Sequence, residues 1–445
     1  MFTRTALGLA LLMVVPLWAQ VDTNGTQPNA NLQGEARMLT PPPVNGEAYP
    51  TAPAAETRSN YLNAGLTFNT AYSDNVLAGI TPNPVSDISY SVWPRIALDE
   101  TTARLHSVLT YSPGFTFYQR TSARNEMDQN AGVDIQYRLS PHVTASLRDS
   151  FQQSSNVFNQ PDLLSAGAVY GSAQAPTVTV IPPLADRLSN TGNGELTYQF
   201  SATGMVGAGG TFTNLHYPNP SQVPGLYDSS SRGGSAFYSH RLSRRHYIGA
   251  LYQYSHILAY PVGAQSEVQT HTVFGFYTIY LKPNLSLSLS GGPQYSDTTQ
   301  GLLRALRSWS PAATASLGWQ GRHTTFAGSY SRIVTGGGGL IGAFHSNTAN
   351  ASARWQIART WNIGAVGNYA IYKTLTPFFF LANPGGHTVS GTVSMQHQIS
   401  ERFNAELGYT RLHQSFNGIP LISANPDTNR EYISISYQFT RPLGR

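Results

Sequence analysis

The sequence predicts an all-β fold: a transmembrane antiparallel β-barrel of about eighteen strands (about 16–18) following a disordered N-terminal tail. Three observations carry that expectation. Only 11% of the 445 residues are charged while 40% are hydrophobic, and the polarity comes from Ser, Thr, Asn, Gln and Gly. From residue 61 onward, apolar and polar side chains alternate with a period of two. The connections between the alternating segments are short and long in turn.

The composition excludes several classes. A soluble domain carries about 25% charge, and a coiled coil is rich in Glu, Lys and Leu. No run past the N-terminus reaches the ~18 apolar residues of a membrane helix. There is no Cys, so a disulfide framework and a thiolate metal site are excluded. The net charge of +5 is scattered, with Lys282 and Lys373 the only lysines. No basic stripe of the kind that nucleic-acid binding needs is present.

Residues 1–19 read as a secretory signal peptide. Met1 to Arg4 form a short basic start, Ala6 to Val15 an apolar run, and Ala19 a small residue at the cleavage edge. Residues 20–58 form a Pro-rich periplasmic tail containing Thr40 to Pro43 and Ala52 to Ala55, too poor in large apolar residues to offset the cost of ordering. Residues 59–445 form the barrel.

Two windows show the period. Ile88, Tyr90, Val92, Pro94, Ile96 and Leu98 oppose Asp87, Ser89, Ser91, Arg95 and Asp99, with Trp93 as an apolar intruder. Met127, Ala131, Val133, Ile135, Tyr137 and Leu139 oppose Asp128, Asn130, Gly132, Asp134, Gln136 and Arg138. Successive strand side chains point to opposite faces, so each window is a two-faced strand. In order, the segments lie near residues 61–72, 86–98, 103–117, 126–139, 142–153, 191–201, 204–216, 231–242, 246–257, 268–281, 284–296, 308–319, 323–333, 346–357, 360–372, 387–399, 402–413 and 430–439. Their lengths suit a tilted strand in a bilayer, which needs about nine to eleven residues.

Short connections such as Ser140-Pro141, Ser243 to Arg245 and Ala358-Arg359 alternate with long ones near 73–85, 154–190, 217–230, 334–345 and 414–429. Outer-membrane barrels show this asymmetry, with tight periplasmic turns and longer outside loops. An even strand number puts both ends of the barrel on the periplasmic side. An open sheet edge in lipid would leave backbone groups unsatisfied, so the sheet must close. The apolar parity then faces lipid and the polar parity an aqueous interior. Tyr72, Phe117, Tyr137, Phe200, Tyr217, Tyr295, Trp319, Trp355, Trp361, Phe403, Tyr437 and Phe439 are expected in the interfacial girdles.

The last strand, Glu431 to Phe439, ends aromatic-x-aromatic and resembles the signal read by the bacterial barrel-assembly machinery, with Ser434 where Gly is common and Thr440 to Arg445 beyond the Phe. Residues from about 57 to 445 resemble the outer-membrane β-barrel proteins found with bacterial exopolysaccharide export systems. The resemblance rests on Ala71-Tyr72-Ser73-Asp74-Asn75-Val76, Tyr111-Ser112-Pro113-Gly114-Phe115, Tyr137-Arg138-Leu139-Ser140-Pro141 and the loop Gly336 to Gly339. It implies a wide outer-membrane channel and, as cargo, polysaccharide.

The polar parity nominates Trp93, Arg95, Arg104, His106, Tyr118, Asp128, Asp134, Arg138, Arg148, Glu195, Arg354 and Glu406 as bore-lining residues. Mixed charges there either set a transverse field that tunes selectivity or simply satisfy one another. Trp93 and Tyr118 either stack on sugar rings or fill the interior. The long segment Asn156 to Asn190 holds a β-prone run, Thr177, Val178, Thr179, Val180 and Ile181, as a candidate constriction loop.

No nucleophile elbow, zinc-protease motif or phosphate loop occurs, and the twelve His lack metal-ligand spacing. The expectation is a non-enzyme without cofactor or metal: a porin-like channel for exopolysaccharide or other polar solutes. The alternative is a structural or adhesive surface barrel with a plugged lumen. Expected partners are outer-membrane lipid and lipopolysaccharide, the assembly machinery and polysaccharide-export components, with no nucleic acid.

Overall fold

The computed structural model describes residues 60–76, 84–121, 125–156, 184–222, 225–261, 265–282, 284–300, 306–337, 340–375, 385–417 and 427–443. The expected signal peptide, the tail and the run Thr177 to Ile181 lie outside the described residues.

Eighteen strands follow one another: β1 (Tyr61–Ser73), β2 (Asp87–Thr101), β3 (Leu105–Tyr118), β4 (Glu126–Arg138), β5 (Val143–Asn156) and β6 (Leu184–Gln199). Next come β7 (Gly204–His216), β8 (Ser229–Arg241), β9 (His246–Ala259), β10 (Ser266–Lys282), β11 (Leu285–Gln300) and β12 (Leu306–Gln320). The last six are β13 (Thr324–Gly337), β14 (Leu340–Ala358), β15 (Trp361–Thr374), β16 (Gly385–Gln398), β17 (Phe403–Asn417) and β18 (Asp427–Pro442). Each pairs antiparallel with its sequence neighbour, and β1 pairs with both β2 and β18, so the sheet is a closed 18-stranded barrel. Closure gives every strand a hydrogen-bonded neighbour on both sides, as a lipid environment demands.

Several spans are longer than expected, and three of them change the reading of a loop. β6 begins at Leu184, inside the segment taken as a loop. β13 runs to Gly337 and β14 starts at Leu340, so the expected loop near 334–345 is the tip of a β-hairpin.

The outward face follows the apolar parity. Leu407 and Ile433 oppose each other across β17 and β18 and are 51% and 58% exposed. Two aromatic belts bound this face. Toward the long loops, Trp309, Tyr295, His271 and Tyr254 form a row across β12, β11, β10 and β9, with ring centroids 5.2, 6.2 and 5.0 Å apart. Toward the short turns lie Tyr198, Phe200 and Tyr238, then Trp361 against His397 at 4.0 Å and Phe403 against Tyr437 at 4.9 Å. On β9 the two belts are separated by the stretch from His246 to Tyr254, about 20 Å along the barrel axis for a strand tilted about 40°. That is close to the apolar band of a membrane-spanning barrel, ~25 Å.

Tyr217 departs from the expected girdle: it is buried inside the barrel end among Leu215, Leu226 and Phe344. It follows His216 on the inward parity, and a strand-end aromatic joins a girdle only when its parity points out. Asp149 is the converse exception. It lies on the outward parity of β5, opposite Val133 and Gly192, and accepts a hydrogen bond from Asn190 Nδ2 at 3.2 Å.

Candidate functional site

The bore has two levels. Toward the short turns it is polar and wet. Arg95, His106, Gln136, Arg138 and Asn350 sit on the inward parity and are exposed. Among them are local ion pairs: Arg148 Nε lies 3.1 Å from Asp134 Oδ2, and His106 Nε2 lies 3.6 Å from Asp99 Oδ1. On the opposite wall Thr392 and Thr410 hydroxyls meet at 3.0 Å, and Asn368 donates to Ser390 at 3.2 Å.

The polar-inside expectation fails in one sector. On β7 to β12 the inward residues Met205, Phe237, Tyr247, Leu251, Phe274, Phe276 and Ala312 form a buried apolar cluster. Here both parities are apolar, and the inner set shields itself from water by packing side chain on side chain.

Toward the long loops an apolar cluster reaches across the bore. Leu340 and Phe344 of β14 pack with Leu215, Tyr217 and Leu226 from β7 and its following loop, and with Ala370, Tyr372 and Phe416 from β15 and β17. β7 and β17 lie on nearly opposite sides of the ring. One contiguous apolar cluster therefore crosses the bore. Phe344 is 0% exposed and Tyr217 and Phe416 are 1%, so the centre of the cluster is dry. Burial pushes the Tyr217 hydroxyl up to about 12, with Arg187 beside it pulling the other way.

Beside the plug, Arg430 reaches inward from β18 among Tyr118, Glu126, Asp128 and Tyr432. Tyr118 donates to Glu126 Oε1 at 3.1 Å, and Tyr432 donates to Glu406 Oε1 at 2.9 Å.

The plug is the upper half of the β13–β14 hairpin, bent inward. Its face bearing Val334 and Ala343 packs on Val268 of β10, with Ile257 and Leu375 alongside. Below the tip the ladder shifts register, Gly336 opposing Ala343 and Gly337 opposing Leu340, and Gly342 in the shifted stretch takes a φ of 102° that suits glycine.

The bend has a backbone cause. Pairing between β12 and β13 runs only from Gln320/Thr325 to Ala313/Arg332. Continued by one more hydrogen-bonded pair, that register would bring Val334 opposite Pro311. The β11–β12 ladder passes unbroken through Pro293 and Pro311, so the two ring nitrogens must point away from each other. Pro293 faces β10, where the ladder skips Val273 and Phe274. Pro311 faces β13 and offers Val334 no donor. Gln294 of β11 fills the role: its Oε1 accepts the Val334 N–H at 2.7 Å, and its Nε2 donates to the Val334 carbonyl at 3.2 Å.

Comparison with known proteins adds no name. No family model matches the sequence, and no curated protein does. Among solved structures the chain is similar to the outer membrane protein opdK from Pseudomonas aeruginosa, at 11% identity and TM-score 0.41, over 85% of this chain and 99% of that one. It is similar to Pseudomonas aeruginosa OccK2 (OpdF) in complex with glucuronate, at 10% identity and TM-score 0.42, over 85% and 98%. A third is the FrpB iron transporter from Neisseria meningitidis, at 9% identity and TM-score 0.39, over 85% and 81%.

The structure places Trp93, Arg95, His106, Tyr118, Asp128, Asp134, Arg138, Arg148, Glu195, Arg354 and Glu406 on the inward parity of their strands. Arg104 instead sits in the short turn between β2 and β3, exposed. Trp93 lies flat on β3, where its ring occupies the space a Cβ at Gly114 would need, at 2.3 Å. Tyr118 and Asp128 are buried in the Arg430 group, away from the wet level. Gln294, Pro311 and Phe344 were missed. A Pro in mid-strand was the one available signal, since it removes a ladder donor.

Proposed function

We propose that this chain is an outer-membrane channel whose lower bore is open to the periplasm and whose outer end is gated by the β13–β14 hairpin. The carrying observation is the pairing of a wet polar bore with a plug that belongs to the wall itself. The plug stays laddered to β15 up to Phe344/Thr374 on one side, yet on the other it meets β12 only across a broken ladder bridged by one glutamine, an attachment a permanent stopper does not need. Its core also carries a buried hydroxyl, on Tyr217, that meets no hydrogen-bond partner among the described residues, a cost of about 1–3 kcal/mol.

The charge layout favours anionic solutes. Arg104, Arg244, Arg245, Arg322, Arg359 and Arg402 occupy the short turns, exposed, with Glu401 the only acid among those turn residues. Arg95 and Arg354 continue the positive field inside, while Arg148 is offset by Asp134. Asp87, Asp186, Asp228, Glu267, Asp297 and Asp427 lie at the other end, where Arg120, Arg187, Arg307, Arg411 and Arg430 offset them, so the excess of one sign belongs to the short turns. A funnel of one sign concentrates counter-ions at its mouth, less so at high salt. An acidic exopolysaccharide fits both this field and the family resemblance, and is the cargo we favour.

Planar-bilayer recording tests the reading. Purified full-length protein should give discrete openings that prefer chloride over potassium in ~0.1 M salt and lose the preference near 1 M. Replacing Arg244, Arg245, Arg322, Arg359 and Arg402 by Gln should abolish the preference without changing folding. Cation preference in the unmodified protein contradicts the anionic cargo. The second reading, a surface scaffold with a fixed plug, rests on the dry cluster across the bore and predicts silence under every voltage.

A further inference from the structure

We infer that the upper half of β13 is a two-state latch. In the state described it is held inward by Gln294; in the other it zips onto the free edge of β12 and carries the hairpin tip out of the bore. This rests on the channel reading and adds how the channel opens.

The two states exchange comparable bonds. Inward, Val334 makes two hydrogen bonds, both to the Gln294 side chain. Zipped, the register set by Ala313/Arg332 continues as Ala312/Ile333, Pro311/Val334, Ser310/Thr335 and Trp309/Gly336. Hydrogen-bonded pairs alternate along an antiparallel ladder. Pro311/Val334 would then give one bond, from the Val334 N–H to the Pro311 carbonyl, because the proline has no N–H. Trp309/Gly336 would give two. Two side-chain bonds are thus replaced by three backbone bonds.

The zipped state must also lift Phe344, Leu340 and Val334 out of their packing, and that loss offsets the extra bond. Pro311 serves as the regulator here. By denying Val334 a donor it keeps the outer state from winning outright, and Gln294 supplies the alternative partner at the same position. Pro311→Ala would restore the missing donor and favour the zipped wall.

The protein has no Cys, so introduced cysteine pairs can trap each state in the full chain. Ser310→Cys with Thr335→Cys would face each other as a non-hydrogen-bonded pair in the zipped wall. At that kind of site the Cα atoms approach to about 4.5 Å, within disulfide reach. Val268→Cys with Ala343→Cys, packed together now, traps the inward state with a short bis-thiol linker.

Both crosslinks are expected to form in native vesicles, and each should suppress the other when the four cysteines are combined. The first should hold the pore open and the second should hold it shut until reduced. Gln294→Leu should raise the yield of the 310/335 crosslink about tenfold, the worth of one or two net hydrogen bonds. If 268/343 forms but 310/335 does not, in either the parent or Gln294→Leu background, the latch is wrong. The crosslinks are read on a gel and need no current. Two exclusive crosslinks in a protein that never conducts would keep the latch and overturn the channel.

Discussion

Excising the plug is expected to turn an intermittent conductor into a permanently open one. With residues 335–344, Phe344 included, replaced by Gly-Ser-Gly, Val334 and His345, which oppose each other in the ladder, are joined across a short turn and the strands below stay paired, because β13 meets β14 along its length down to Thr324/Trp355. The apolar bridge between β7 and β17 loses Leu340, and the packing on Val268 loses Ala343. What remains is a ring of eighteen strands, a size that leaves an aqueous channel when nothing fills it. The mean current should rise about tenfold or more and become independent of voltage. A milder version is Phe344→Ala, which removes the ring at the centre of the cluster at a cost of about 3–5 kcal/mol to the plug. It should raise open time while leaving barrel unfolding nearly unchanged, since Phe344 belongs to the plug more than to the wall. A folded excision variant that stays electrically silent would favour the scaffold reading.

The second large effect concerns the wall. Leu407 lies four residues above Phe403 in the lower belt and faces outward beside Ile433. Leu407→Arg places a guanidinium in hydrocarbon, at a cost of about 2–4 kcal/mol near mid-depth. Asn350→Arg is the control. Asn350 is exposed on the inward parity of β14, so the new charge meets water and should change stability by less than ~0.5 kcal/mol. Denaturant titration of the folded, heat-modifiable form resolves the two. Equal costs, or the larger cost at Asn350, would mean that the faces are assigned the wrong way round.

The strands were legible because their signal is local. In 126–139 every second residue repeats one chemistry, and a ladder of eighteen such segments with alternating connections leaves few architectures. The plug was not legible. Gly336 to Gly339 reads as a loop in one dimension, and nothing near it announces that Gln294, some forty residues upstream, will hold Val334. That contact exists only because Pro311 of β12 ends the ladder between β12 and β13. The same limit hid the electrostatics: arginines far apart in the chain look scattered until alternating turns gather them at one end. The apolar inner cluster around Phe274 and Phe276 escaped because strands apolar on both parities give alternation nothing to choose between. Tyr217 was misplaced for a simpler reason, since its position at a strand end was weighed above its parity.

The central claim is that neighbouring residues of one strand alternately meet lipid and water. Single cysteines at residues 349 to 354 of β14, each carrying a nitroxide in reconstituted vesicles, test it most directly. Ala349, Ala351 and Ala353 should be quenched by oxygen, which concentrates in hydrocarbon. Asn350, Ser352 and Arg354 should respond to a water-soluble nickel chelate. A period near 3.6, or uniform access of the chelate to all six positions, would contradict a membrane-spanning barrel.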